Sequence, residues 1–160
     1  MSSIQQILVL GGMLILSLTS LRFNTTVLET TSVEVQNKVY LTAFSIADDM
    51  IEEIKGKAFD EATIQFPTAT GNLTSSADLG PETGEVYPYY NDIDDYNGYS
   101  KIISAPHAED YKVAVTVNYV SDTSPDTDVL YRTFYKKVTV TVGSPYLTHT
   151  ISESFIFTLK

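Results

Sequence analysis

The stretch QQILVLGGMLILSLTSLRF, residues 5–23, decides the fold class of this chain. All of its side chains are uncharged except Arg22. The apolar run from Ile7 to Leu21 is shorter than the roughly 20 residues with which a helix crosses a membrane. A secretory signal peptide has a basic start and a small-residue cleavage site, and this stretch shows neither pattern. Its role therefore has to be inferred together with the sequence that follows it.

A second helical pattern follows directly. Between Asn24 and Lys57 there is no proline, and Gly56 is the one glycine. Apolar residues recur there at spacings of three, four and seven, which indicates one stripe of an α-helix: Val35, Val39, Ala43, Ile46, Ala47, Met50 and Ile54. If both patterns form one helix, it has about 55 residues and a length of ~80 Å. Its first half must then project from a compact domain and contact lipid or other copies of the chain.

The rest of the chain predicts a loop and then a sheet. Residues 66–100 hold many turn-forming residues and little periodicity, which indicates a long irregular excursion. Alternating apolar and polar residues predict strands at 111–120, 131–142 and 148–159, joined by turns. We therefore predict an α+β fold in which a small antiparallel meander packs on the second half of the long helix. The predicted segments are an apolar assembly or transmembrane helix at 1–23, an amphipathic helix at 24–58, a variable loop region at 59–110 and a sheet at 111–160.

Composition excludes several classes of function. The net charge is -10, from 20 acidic and 10 basic residues, and no basic patch is present, so nucleic acid is not an expected partner. The chain has no cysteine, which excludes disulfides and thiolate catalysis. His107 and His149 lie outside any catalytic motif and are expected to be surface or structural residues. The sequence therefore does not predict an enzyme.

The order of long N-terminal helix, variable loop and antiparallel sheet resembles that of type IV pilins and related pseudopilins. The resemblance covers the whole architecture, and its sequence-specific part is the first ~25 residues. It implies a structural subunit of an extracellular type IV pilus-like filament, a homopolymer whose precursor is inserted in the inner membrane. The pilus assembly machinery would be its other partner. The residues expected to mediate assembly are Met1, Gln5, Gln6, Ile7, Leu8, Leu10, Gly11, Gly12, Leu14, Leu16, Leu18 and Leu21.

The chain also departs from the family pattern. In the family a basic leader is removed and the mature, methylated chain carries Glu at its fifth position; the resemblance implies that Met1 is that first mature residue. The fifth position here is Gln5, which forms hydrogen bonds but cannot neutralise a neighbour's amine. The usual proline of the apolar segment is absent, and Gly11 and Gly12 are expected to allow local melting instead. A minor pilin, a secretion-system pseudopilin and a monomeric membrane-anchored binding domain remain alternatives.

Two kinds of site are candidates. The stretch NDIDDYNG, residues 91–98, offers four oxygen ligands for calcium: Asp92, Asp94, Asp95 and Asn97. The alternative, which we rank slightly ahead, is an ordinary solvated turn. Asn72 and Asn24 each begin an Asn-x-Thr triplet and are candidate glycosylation sites, Asn72 being the better one because its surroundings are rich in Ser and Thr.

Overall fold

The computed structural model describes residues 2–106 and 108–159; Met1, His107 and Lys160 lie outside them. Within this part, helix α1 spans Ser3–Lys55, and four strands follow: β1 at Ser100–Ala105, β2 at Ala108–Tyr119, β3 at Tyr135–Gly143 and β4 at Ile151–Thr158. The strands are antiparallel and lie in the order β1-β2-β3-β4. The predicted α+β fold, with a long N-terminal helix and an antiparallel meander, is confirmed. The chain divides into two compact units, which meet between Lys38 and Val39 within α1.

The N-terminal unit is a helix whose side chains are all exposed. Every residue from Ser2 to Lys38 is exposed, whether apolar or polar. Several Ser and Thr hydroxyls donate to carbonyls one turn earlier in the helix, as Ser17 does to Met13 and Thr30 to Thr26, both at 2.9 Å. The hydrogen-bond donors of these hydroxyls are therefore satisfied within the helix and need no external acceptor. The helix continues through residues 11–12, the two glycines.

The C-terminal unit is built on the end of α1 and one face of the sheet. The helix buries six residues, which fall on the predicted stripe or beside it: Val39, Ala43, Ala47, Met50, Ile51 and Ile54. They belong to one core with alternate valines of β2 and β3. Ala43 and Ala47 are both fully buried in this core. Val35, which was predicted on the stripe, is exposed, because the core begins at Val39.

The register of the sheet explains its burial pattern. Val115 lies opposite Val140 and Val117 opposite Val138, so the apolar side chains of both strands face the helix. The sequence predicted three strands, but the described part of the chain has four. The additional strand, β1, lies in the segment assigned to the variable loop, and β2 begins there as well, at Ala108. Most residues of β1 are exposed, so its sequence lacks the clear alternation on which the prediction depended.

The connection between α1 and β1, residues 56–99, is irregular but ordered by hydrogen bonds. It contains three short 3-10 turns, at Glu61–Thr63, Thr70–Asn72 and Asp94–Tyr96. Gly98 follows the last turn with φ of 79°, a left-handed conformation that favours glycine, and its N–H donates to the carbonyl of Val115 on β2. The connection is thus joined to the sheet immediately before β1 begins.

Candidate functional site

The first candidate site is the apolar surface of the N-terminal unit. The predicted assembly residues from Gln5 to Leu21 all lie on α1 and are exposed, Leu16 for example at 71%; Met1 is outside the described residues. Soluble monomers rarely leave a large contiguous apolar surface in water. Helix α1 is long and apolar enough to cross a membrane, so its N-terminal part can serve as a membrane anchor or a signal sequence.

Gln5 has a local role at the start of this helix. Its side-chain oxygen Oε1 accepts a hydrogen bond of 3.0 Å from the backbone N–H of Ser2. The N–H groups of a first helical turn have no partner within the helix, and a side-chain acceptor supplies one. Gln5 thus caps its own helix, a role that needs hydrogen bonding and no charge.

The second candidate site is the aspartate-rich turn at 91–98. Asp92, Asp94 and Asp95 are all fully buried, so the interpretation as a solvated turn is wrong. Asp92 pairs through its backbone with Ala58, just after the end of α1, which draws the turn into the interior. Buried carboxylates are costly unless they are hydrogen-bonded, paired with a cation or protonated. The partners of each carboxylate therefore decide what the turn can do.

Asp94 is neutralised by a lysine of the sheet. The Nζ atom of Lys136 on β3 lies 2.7 Å from Oδ1 of Asp94 and 2.8 Å from Oδ2 of Asp60, and it also donates to the carbonyl of Phe59 at 2.8 Å. All three charged side chains are inaccessible to solvent. Asp60 additionally accepts from the backbone N–H groups of Ala62 and Thr74. This triad joins the connection to the sheet.

Asn97 is also used within the fold. Its Nδ2 donates to the carbonyl of Leu79 at 3.0 Å, and its Oδ1 accepts from the backbone N–H of Val117 at 3.0 Å. Both polar ends of the side chain therefore have partners. Of the four predicted calcium ligands, Asp92 and Asp95 remain without a cationic partner in the described part of the chain.

Three glutamates, not predicted as site residues, lie near these two aspartates. Carboxylate oxygens of Glu61, Glu82 and Asp92 lie within 4.8 Å of one another, and so do those of Glu82, Glu85 and Asp95. Glu82 belongs to both groups. The five residues, Glu61, Glu82, Glu85, Asp92 and Asp95, are called the carboxylate cluster below.

The protonation of the carboxylate cluster reflects burial and mutual repulsion. Burial, followed by the carboxylates of Asp94 and Asp95, raises the pKa of Asp92 to about 9. Burial and then the neighbouring Glu85 raise the pKa of Glu82 to about 7. Burial likewise raises the pKa of Asp95 above its ordinary value. Without a cation, the cluster therefore disfavours its fully charged form.

A group of tyrosines lies beside this region. The rings of Tyr87, Tyr90, Tyr96 and Tyr99 contact one another, with centroids 4.8 to 6.2 Å apart. The hydroxyl of Tyr96 donates to Oε1 of Glu53 on α1 at 2.7 Å. Burial and this glutamate raise the pKa of the phenol, which keeps its proton and its donor role. The four tyrosines thus pack the connection against the buried end of the helix.

The two glycosylation candidates are both exposed. Asn72 ends the second 3-10 turn, where its Nδ2 donates to Oγ1 of Thr68 at 2.9 Å. Asn24 lies within α1. Modification at either residue stays a prediction.

Sequence patterns would have identified part of what was missed. Lys136 lies on the same side of β3 as Val138, so its register alone indicates a buried lysine in need of carboxylates. The glutamates of the carboxylate cluster give no such signal, because they converge only through the path of the connection. No protein-family model, curated protein or solved structure matches this chain.

Proposed function

We propose that this chain is a structural subunit of an extracellular type IV pilus-like filament, and that it polymerises through the N-terminal part of α1. The observation that carries the proposal is the complete exposure of residues 2–38, which include the whole apolar stretch. Such a surface needs a partner, and lipid or other copies of the same helix supply one. The function is assembly rather than catalysis.

Assembly would proceed in two environments. The apolar segment is first held in the membrane, where its surface contacts lipid tails. It is then extracted and packed among the same segments of other subunits, where burial contributes about 25 cal/mol per Å² relative to water. Contacts between different faces of identical subunits do not close and therefore generate a helical polymer.

The distribution of charge supports this arrangement. Residues 1–38 carry two acidic and two basic side chains, Glu29, Glu34, Arg22 and Lys38, so their formal charge is zero. The whole charge of -10 therefore belongs to residues 39–160. Copies of the N-terminal segment can pack together without net repulsion, while the acidic unit stays hydrated at the outside.

A pair of matched substitutions tests the proposal. Leu16→Asp places a charge in the apolar segment, whereas Leu130→Asp places the same charge at a leucine that is 91% exposed in the C-terminal unit. We expect Leu16→Asp to abolish filaments and Leu130→Asp to retain them, as seen in the sheared surface fraction by electron microscopy. Near-ultraviolet circular dichroism of the tyrosines should show that both variants keep a folded C-terminal unit. Filaments of normal abundance from Leu16→Asp would contradict the proposal.

A second candidate function is supported by the same helix. As a membrane anchor, α1 would carry the C-terminal unit as a monomeric binding domain, with the connection at 56–99 as its binding surface. This alternative predicts that the chain stays in the membrane fraction without forming a polymer. A minor pilin or pseudopilin would instead form a short periplasmic fibre, which fractionation of the cell envelope would distinguish from a surface filament.

A further inference from the structure

The carboxylate cluster concentrates negative charge that the fold does not neutralise. Within residues 2–106 and 108–159, no salt bridge involves Glu61, Glu82, Glu85, Asp92 or Asp95. The one buried lysine nearby, Lys136, is committed to Asp60 and Asp94. Glu61 is exposed and Glu82 and Glu85 are at least partly exposed, whereas Asp92 and Asp95 are buried. Like charges repel most strongly where water is excluded, so the two buried aspartates favour protons or a cation.

The hydrogen bonds of the two aspartates fix one oxygen of each carboxylate. Oδ1 of Asp92 accepts from the backbone N–H of Asp95, and Oδ2 of Asp95 accepts from the N–H groups of Asn91 and Asp92. These reciprocal bonds hold both fully buried carboxylates in fixed orientations. Such outer hydrogen bonds are typical of residues that ligate a metal through their remaining oxygen.

The remaining oxygens are buried without a donor. In the described part of the chain, Oδ2 of Asp92, Oδ1 of Asp95 and Oε2 of Glu82 are shielded from solvent and have no hydrogen-bond partner. A buried acceptor without a donor is costly, and native proteins contain few of them. Glu82 and Asp92 converge with Glu61 in one group of carboxylates, and Glu82 and Asp95 converge with Glu85 in a second, adjoining group. Burial, orphaned oxygens and convergence are separate observations, and all three point to a bound cation.

We propose that the carboxylate cluster binds a divalent cation, with Glu61, Glu82 and Asp92 as its principal ligands and Glu85 and Asp95 in the adjoining group, and that this cation is calcium. All of the donors are carboxylate oxygens, which calcium and magnesium prefer and which softer metals do not. Calcium accepts six to eight such ligands in irregular geometry, whereas magnesium needs a near-ideal octahedron. Ligands from an irregular connection suit the irregular coordination of calcium better than the octahedral coordination of magnesium.

The bound ion would cross-link separate segments of the connection between α1 and β1. Glu61 lies in the first 3-10 turn, Glu82 and Glu85 lie in the middle of the connection, and the two aspartates flank or belong to the third turn. A single ion therefore joins three segments of a chain that has no cysteine to cross-link them. This role is independent of the filament, because it concerns the stability of the C-terminal unit alone.

Calcium titration of the full chain in nonionic detergent tests this inference. After removal of metals with EGTA, calcium should bind with measurable heat in titration calorimetry. At a calcium concentration of about 100 times Kd, the thermal midpoint from near-ultraviolet circular dichroism should rise by roughly 5–10 °C. Absence of both effects up to several millimolar calcium would overturn the proposal. An equal rise with the same concentration of magnesium would overturn the assignment of calcium.

Two charge-neutralising variants separate ligation from structure. Asp92→Asn removes one ligand and keeps the side chain uncharged, so without metal it should be about as stable as the wild type but should lose the calcium-dependent rise. Asp122→Asn, at an exposed residue after β2, makes the same chemical change and should keep that rise. If Asp92→Asn retained the full response to calcium, Asp92 would not be a ligand and the proposed site would be wrong.

Discussion

The substitution Lys136→Met should destabilise the C-terminal unit strongly. The Lys136 side chain is fully buried, and its Nζ atom lies within 2.8 Å of Oδ2 of Asp60 and of Oδ1 of Asp94. Methionine keeps the apolar stem but removes the cation, so two buried carboxylates lose their counter-ion. Asp60 retains backbone donors, whereas Oδ2 of Asp94 has no donor among the described residues, so most of the cost falls on Asp94. Breaking a buried ion pair on one side typically costs about 3–5 kcal/mol.

The neighbouring lysine provides a matched control. Nζ of Lys137 lies 2.7 Å from Oδ1 of Asp128, whose side chain is 50% exposed. An ion pair of this kind contributes about 0–1 kcal/mol, so Lys137→Met should change the stability little. We expect the thermal midpoint, followed by the near-ultraviolet signal of the tyrosines, to fall by roughly 10–20 °C for Lys136→Met and by a few degrees at most for Lys137→Met. Equal small effects of both substitutions would refute the reasoning.

Three further predictions concern the same unit. Ile54→Ala should lower the free energy of unfolding by about 2–5 kcal/mol in chemical denaturation, because this side chain is fully buried; a loss below 1 kcal/mol would argue against the described core. Tyr96→Phe should cost about 1.5–3 kcal/mol, since it removes the 2.7 Å hydrogen bond to Glu53, and an unchanged midpoint would show that this bond is not formed. Without added cation, stability should fall as pH rises from about 5 to 9, because the pKa of Glu82 is raised to about 7 and that of Asp92 to about 9, so the folded chain holds protons that the unfolded chain has released. Stability that rises over this range would contradict the described burial.

Periodic patterns predicted most of the regular structure. The helical stripe through Ala43, Ala47 and Ile54 identified the buried face of α1, and alternation identified β2, β3 and β4. In α1, β2 and β3 a single face is buried, so the sequence carries the period of the element; β4 has no fully buried residue. Strand β1 was missed because it lies at the edge of the sheet and exposes most of its residues.

The chemistry of the acidic turn could be predicted only in part. Oxygen-rich composition suggested calcium ligands at Asp92, Asp94, Asp95 and Asn97, but it gave no sign that the three aspartates are buried or that Asp94 and Asn97 have partners within the fold. The cation that neutralises Asp94 lies 42 residues away in sequence, and the same lysine reaches Asp60 across 76 residues. Contacts of this range depend on the tertiary fold, and local composition does not specify them.

Gln5 has a structural role of its own in this chain. Its amide caps the first turn of α1 without a charge, and in the proposed membrane-inserted precursor an uncompensated charge at this position would be costly. The apolar segment is thereby prepared for both of its proposed environments, the membrane and the filament core.

The most direct test of the filament proposal is electron cryo-microscopy of the sheared surface fraction from cells that produce this chain, with the polymer identified by mass spectrometry. The proposal predicts long helical filaments made of this chain, with residues 3–38 packed as helices in the core and the sheet outside. It would be contradicted if the chain remained entirely in the membrane fraction while no polymer containing it formed.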